Sequence, residues 1–500
     1  MANAINIKRE QVAALVDQLR QNVTAADETK LSQTEEQAIL EKLKVHGRTT
    51  AGSDAIYSKD GITLLSSIAF RDPCISESSR EALRCIANAM FLNRTTSQYF
   101  TDGGFVEKAS EAYKSESYDD EFLLGRILFF VTTYSETNGL ILACVKDHGL
   151  VENTNSAITR HAASYAHAHT TSTDTSQMEG MALQDTLKLL YTLTAKLEDQ
   201  KADLFGPIVP DLITILTSVP ITPSSPLRPP IHHILDALSN IPLDNDTTKA
   251  TLFPAEYPTK HLFRIVKILD AAAQVSTGSS SRNSATDEFD DRAASLLKLL
   301  HEIYPIAPEE AKQFLRESLL PSETERSHPL GSHISASLPS RLLRLSSSPS
   351  TSNTRTLLST LLFTVSDSDP TTFIKNVGYG HASGYLMMAG IPIPPTALEE
   401  ARRSKTTGKD VNPITGQYLD DEIKAIQESG VRGVEDMTDE EKEREAERLF
   451  VLFERLNRTG VINVENPVRT ALHEGRFEEL NDDDDDEDKG GNANGATRGA

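Results

Sequence analysis

Apolar residues recur at i, i+3, i+4 and i+7 along most of this 500-residue chain, in blocks separated by polar or proline-containing breaks. The clearest blocks are REALRCIANAMFL (80–92), EFLLGRILFFVTTY (121–134), MALQDTLKLLYTLTAKL (181–197), IHHILDALSNIPL (231–243), DRAASLLKLLHEIY (291–304) and TRTLLSTLLFTV (354–365). Each is long enough for a helix and apolar over a wide face, so each needs neighbours on more than one side. No stretch alternates with the period of two that a half-buried strand requires. The blocks stand roughly 40–60 residues apart, the period of armadillo and HEAT repeats with loop insertions. Such a stack grows repeat by repeat, which lets 500 residues fold without one oversized core. The chain is therefore predicted to be all-α, an armadillo/HEAT-type repeat superhelix over residues 1–395.

Charge narrows the partners. With 73 acidic and 50 basic side chains the formal charge is −23, which repels phosphate backbones and anionic membrane surfaces and argues against nucleic acid. The opening MANAINIKREQVAALVDQL carries charges where a signal peptide needs an apolar stretch. No run approaches the roughly 18 apolar residues of a membrane span. Cys74, Cys85 and Cys144 are odd in number and fit no metal spacing, so they read as reduced, buried thiols. The cytoplasm is the expected location, with no stable membrane insertion.

Beyond the stack the composition changes. Residues 396–436 read as a linker. Residues 437–480 form a partner-binding helical segment, and 481–500 a disordered acidic, then Gly/Asn-rich tail. Within TDEEKEREAERLFVLFERL (438–456), Thr438 and Glu441 make a capping box. Ala446, Leu449, Phe450, Phe453 and Leu456 share one stripe. That stripe either folds back on the stack or clamps a partner. Inside the stack, 219–230, 276–291 and 320–340 read as connectors.

No constellation points to covalent chemistry, a metal or a cofactor. GYGHASG (378–384) reads as a tight helix junction. His161, His167 and His169 read as a surface loop or helix end, and His232 and His233 as a polar helix end. Asn88 and Asn240 either line a binding groove or cap their own helices. Lys44 with Arg48 (i, i+4), and Arg341 with Arg344 (i, i+3) followed by Arg355, each place cations on one helical face. These faces are either simply solvated or a groove for a carboxylate terminus or acidic segment.

Several of these stretches match one family in order. TTFIKNVGYGHASGYL (371–386) is the most specific, followed by NPITGQ (412–417) with MTDEEKEREAERLFVLFERL (437–456). EALRCIANAMF (81–91), GRILFFVTTY (125–134) and ALSNIPL (237–243) are looser. Through them the chain resembles the synembryn family (resistance to inhibitors of cholinesterase), in a fungal-type version, over most of residues 40–470. The resemblance implies an armadillo/HEAT-type superhelix that acts on α subunits of heterotrimeric G proteins. It would serve as a non-receptor guanine-nucleotide exchange factor and folding chaperone, monomeric and 1:1 with its client, recruited to the plasma membrane only through it. It implies that Lys44, Arg48, Asn88, Arg126, Phe129, Phe130 and Asn240 line the groove for the client's C-terminal helix, while Leu449, Phe450, Phe453 and Leu456 reach its nucleotide-binding domain. Arg341, Arg344 and Arg355 resemble a basic patch that receives a phosphorylated acidic loop in animal members. Here the matching place reads EEARRSKTTGKDV and is basic, and Thr192 stands where a groove Asn is usual. The rival expectation is an armadillo-type cargo or scaffold adaptor that binds basic peptides through acidic groove residues and leaves nucleotide exchange untouched.

Overall fold

A computed structural model describes residues 2–25, 30–71, 75–134, 139–171, 176–278, 284–322, 325, 337–348 and 351–395. The chain divides into two units, Met1–Leu419 and Asp420–Ala500, and every described residue belongs to the first. Cys74, the linker, the 438–456 stripe and the acidic tail lie outside the described residues.

Among the described residues there are α-helices and short 3-10 turns but no strand. In chain order the helices are α1 (Ala2–Thr24), α2 (Gln33–His46), α3 (Asp54–Tyr57), α4 (Lys59–Ala69), α5 (Glu77–Leu92), α6 (Thr95–Asp102), α7 (Phe105–Ala112), α8 (Tyr118–Tyr134), α9 (Gly139–Asp147), α10 (Leu150–Thr171), α11 (Gln177–Lys196), α12 (Lys201–Phe205), α13 (Val209–Ser218), α14 (Ile231–Leu238), α15 (Asp246–Leu252), α16 (Lys260–Gly278), α17 (Ser284–Arg292), α18 (Ala294–Ile306), α19 (Glu309–Leu319), α20 (Leu338–Ser347), α21 (Arg355–Val365), α22 (Pro370–Val377) and α23 (Tyr379–Met388).

These helices stack as two rows. In one row α2, α5, α8, α11, α14, α18 and α21 each pack on the next. In the other, α4, α6, α7, α10, α13, α16 and α20 do the same. Cross-row pairs such as α4 with α5, α10 with α11 and α20 with α21 close the layers on one another. This is the repeat-type helical solenoid that the periodicity predicts, and each of its six apolar blocks lies on a helix of the first row.

The packing follows from the side chains. Leu123, Leu124, Ile127, Leu128 and Val131 of α8 are buried, as are Leu183, Leu187, Leu189, Leu190 and Leu193 of α11. Each such side chain contributes roughly 1.5–3 kcal/mol by leaving water. Gly125 lets α8 approach Tyr113, whose hydroxyl would stand 3.1 Å from an added Cβ. Hydroxyls start many of the helices: Ser32 and Glu35 form a full capping box on α2, and Ser76, Ser176 and Ser337 cap α5, α11 and α20. Gly378 divides α22 from α23 at φ 81° and ψ 153°, a backbone region essentially reserved for glycine, so GYGHASG is the helix junction expected of it.

Two expectations about local structure need correction. The Ser-rich stretch 276–291 is not simply a connector, because α16 runs through Gly278 and α17 occupies Ser284–Arg292. Of the histidines of RHAASYAHAHTT, His167 and His169 lie toward the C-terminal end of α10, a helix end as expected, whereas His161 lies mid-helix and is fully buried. Its polar environment comes from α8 and α11, which are distant in sequence.

Candidate protein-binding face

The first row turns one stripe of each helix away from the core. On α5 it is Arg80, Arg84, Asn88 and Phe91, on α8 Phe122, Arg126 and Phe129, and on α11 Lys188 and Tyr191. Phe91 is 70% exposed and Tyr191 44%. A run of aromatic and basic side chains across successive helices stands out in so acidic a chain. Phe91 lies 6.2 Å from the ring of Phe130, which also meets Phe129 at 5.5 Å and stacks on Tyr134 at 5.9 Å. Phe130 itself is buried, so it supports this cluster from below while Phe129 is partly exposed.

The cations are held by carboxylates between the helices, of which Glu81, Asp120 and Asp185 are buried. Lys44 of α2 pairs with Glu81 of α5 at 2.6 Å, and Arg84 reaches Glu81 at 2.5 Å and Asp119 of α8 at 3.5 Å. Arg80 donates to Asp120 at 2.7 Å, and that bond holds the guanidinium above its already high range. Arg126 meets Asp185 of α11 at 2.8 Å and lies 4.3 Å over the Phe122 ring, while Lys188 takes the other Asp185 oxygen at 2.9 Å. Further along, Asn240 donates to Thr194 at 3.1 Å, and Thr192 and Thr132 hydroxyls share a bond of 2.8 Å. Each carboxylate thus points a cation outward and ties one repeat to the next.

A polar cluster lies under this face. Glu121 of α8 accepts bonds from His161 at 2.7 Å, Arg160 at 2.7 Å and Thr186 at 2.6 Å, and Tyr113 shares a 2.7 Å bond with Thr186. Burial alone would raise the Glu121 carboxyl and lower the His161 imidazole. The bonds outweigh burial, so Glu121 is held below the usual carboxylate range and His161 above the usual imidazole range. Burial pushes the Tyr113 phenol and the Cys85 thiol up, the latter to about 12, which leaves that thiol inert.

Not every expected residue reaches the face as anticipated. Lys44 and Arg48 do not share a helical face: α2 ends at His46, Gly47 caps it, and exposed Arg48 follows in the turn, making no ion pair among the described residues. Asn88 does not cap its helix, since Asn93 holds the C-cap of α5; Asn88 sits mid-helix, half-buried on the outward stripe. Asn240 lies just past α14 and lines a cleft of about 450 Å³ with Ser239, Lys298, His301 and Glu302. The basic patch is not a simple solvated face either. Arg341 is buried and bonded to Asp270, Arg344 donates to the Thr277 carbonyl at 3.4 Å, and only Arg355, at the start of α21, is exposed. Burial and the neighbouring Arg341 lower Arg344. Phe91 and Tyr191 are not legible as members of this face from the sequence, because they sit in apolar blocks. Their signal is positional: each continues the polar stripe of its helix, at i+3 from Asn88 and from Lys188.

The sequence matches the profile of the guanine nucleotide exchange factor synembryn over residues 39–476. The chain belongs to the synembryn family. A synembryn-like chaperone of Schizosaccharomyces pombe is 25% identical over 60% of this chain and 56% of its own length, and the chaperone Ric-8A of Macaca fascicularis 27% over 46% and 42%. The chain spans about half the length of the curated relatives it matches. Among solved structures, an engineered protein aligns at TM-score 0.36 and 19% identity over 57% of this chain and 96% of its own, a slight likeness. The synembryn match takes in the outward stripe of α5, α8 and α11 and the 438–456 segment. No helix among the described residues is long and apolar enough to cross a membrane.

Proposed function

We propose that this protein is a guanine-nucleotide exchange factor and folding chaperone for α subunits of heterotrimeric G proteins. The observation that carries the reading is the stripe of Arg84, Asn88, Phe91, Arg126, Phe129 and Tyr191 across α5, α8 and α11, in a chain whose family match spans 39–476. A helical C-terminus offers an apolar face and a terminal carboxylate. The exposed aromatics suit the first, and the cations at the Lys44 end of the row, with Arg48, which makes no ion pair among the described residues, suit the second. In this reading Arg341, Arg344 and Arg355 are a separate basic contact, with Arg355 its exposed member.

The mechanism needs no covalent step. Gripping the client's C-terminal helix favours the nucleotide-free state, and by linkage nucleotide weakens the grip in return. A shift from 1:99 to 99:1 takes about 5.5 kcal/mol of differential affinity, which a long groove and a second contact supply together. In this reading residues 1–395 are the gripping solenoid, 396–436 a linker, and 437–480 the second contact through Leu449, Phe450, Phe453 and Leu456, ahead of the acidic tail. The protein acts as a cytoplasmic monomer, 1:1 with its client. The adaptor reading is not favoured, because Glu81, Asp120 and Asp185 are buried beneath their own cations and do not offer an acidic groove. Fluorescence titration with two peptides, one from the C-terminal helix of a G-protein α chain and one a basic cargo-type sequence, tests the choice. Tighter binding of the first supports a G-protein client, and tighter binding of the second overturns it.

A further inference from the structure

The first turns of α14 gather two imidazoles and a carboxylate well away from the aromatic stripe. His232 Nε2 stands 3.3 Å from Asp236 Oδ2, and His233 Nδ1 stands 3.7 Å from the same oxygen. One donor atom from each of the three lies within 4.8 Å of the other two. Both contacts are longer than a good N–H···O bond. They instead bracket the separation of about 3.4 Å between neighbouring donors around a tetrahedral ion with ligand distances of about 2.1 Å. The side chains are only 17–21% exposed, so the cluster is sheltered but reachable.

Three surrounding features bear on what such a cluster can hold. Ser295 of α18 donates to Asp236 Oδ1, which fixes the carboxylate and leaves Oδ2 turned toward the imidazoles, as an outer partner orients a metal ligand. The Nδ1 of His232 is buried beside the Arg292 backbone and makes no close hydrogen bond among the described residues, while Nε2 is the atom turned to Asp236. Arg292 is the neighbouring cation, engaged by Glu288 at 3.0 Å. Arg292 and the positive end of the α14 dipole both oppose an ion held by charge alone. That disfavours calcium and magnesium, which seek oxygen donors, and leaves borderline ions that bond to neutral imidazole.

We propose that His232, His233 and Asp236 form a three-ligand site for a zinc-class transition-metal ion, with the fourth position open to water. All three ligands come from α14, and Ser295 of α18 braces one of them, so the site sits where α18 packs on α14.

The test uses the full chain with any affinity tag removed, stripped with chelator and desalted. Zinc is titrated by calorimetry and cobalt by visible absorption, with magnesium as control. The expected result is one zinc per chain, a tetrahedral cobalt spectrum, a thermal midpoint raised by about 3 °C and no response to magnesium. Affinity should fall at least tenfold in His233→Gln and in Asp236→Asn. Circular dichroism of each stripped variant, matching the stripped parent, shows that lost binding is not lost folding. Absent saturable binding, or equal binding in the His233→Gln/Asp236→Asn double variant, would overturn the proposal and leave an adventitious ion or a polar helix face only.

Discussion

Glu121 of α8 and His161 of α10 meet at 2.7 Å with neither side chain exposed to solvent. Around them Arg160, Thr186, Glu179 and Tyr118 complete a polar cluster that joins α8, α10 and α11. Its charges are sensitive to pH on both sides. Glu121 is depressed below 4.5, so its contribution is full above that value and is lost as pH falls through the depressed one. His161 is raised above 6.5, so its contribution is full below that value and is lost as pH rises through the raised one. Urea unfolding from pH 6.5 to 9 should therefore show falling stability in the parent. His161→Gln should lose that slope and cost about 3 kcal/mol at pH 6, because Glu121 is left buried with a weaker partner set.

Asp185 is the hinge of a second prediction. It is buried and shared by Arg126 and Lys188. Removing either cation leaves the other, so Arg126→Ala and Lys188→Ala should each cost about 1 kcal/mol. The double variant leaves an uncompensated buried carboxylate and should cost about 3–5 kcal/mol, well beyond the sum. Chemical denaturation of the four proteins measures the coupling.

Phe91 and Tyr191 should separate binding from folding. Both are largely exposed, so Phe91→Ser and Tyr191→Ser should change stability by less than about 1 kcal/mol. Each should nevertheless weaken binding of the peptide from the client's C-terminal helix about tenfold, as expected of aromatic anchors. Unchanged affinity in both would move the binding surface elsewhere.

Gly378 holds a backbone conformation that a side chain resists. Gly378→Ala should destabilise the α22–α23 corner by about 1–3 kcal/mol, read as a lower thermal midpoint with helix content retained at low temperature.

Much of this architecture is readable from periodicity. The six apolar blocks lie on row helices because burial on several sides leaves a local, 3.6-residue imprint. What periodicity misses is either ended by one residue or made across repeats. Gly47 stops α2 before Arg48, which removes the shared face that an i, i+4 spacing suggests. His161 looks like part of a surface loop or helix end until α8 supplies Glu121 from 40 residues away. Arg341 looks available until Asp270 of α16 is placed beside it. Pairs of this kind depend on how repeats stack, and no local spacing encodes them. The α17 helix is likewise hidden by its Ser-rich approach.

Nucleotide exchange by this protein is read from a single rate. Release of GDP from a purified G-protein α subunit is followed with and without an equimolar amount of the full chain. An exchange factor gives faster release and a stable nucleotide-free complex, with the acceleration reduced in Phe91→Ser/Tyr191→Ser. Release at the same rate with and without this protein, across several α subunits, would contradict that role.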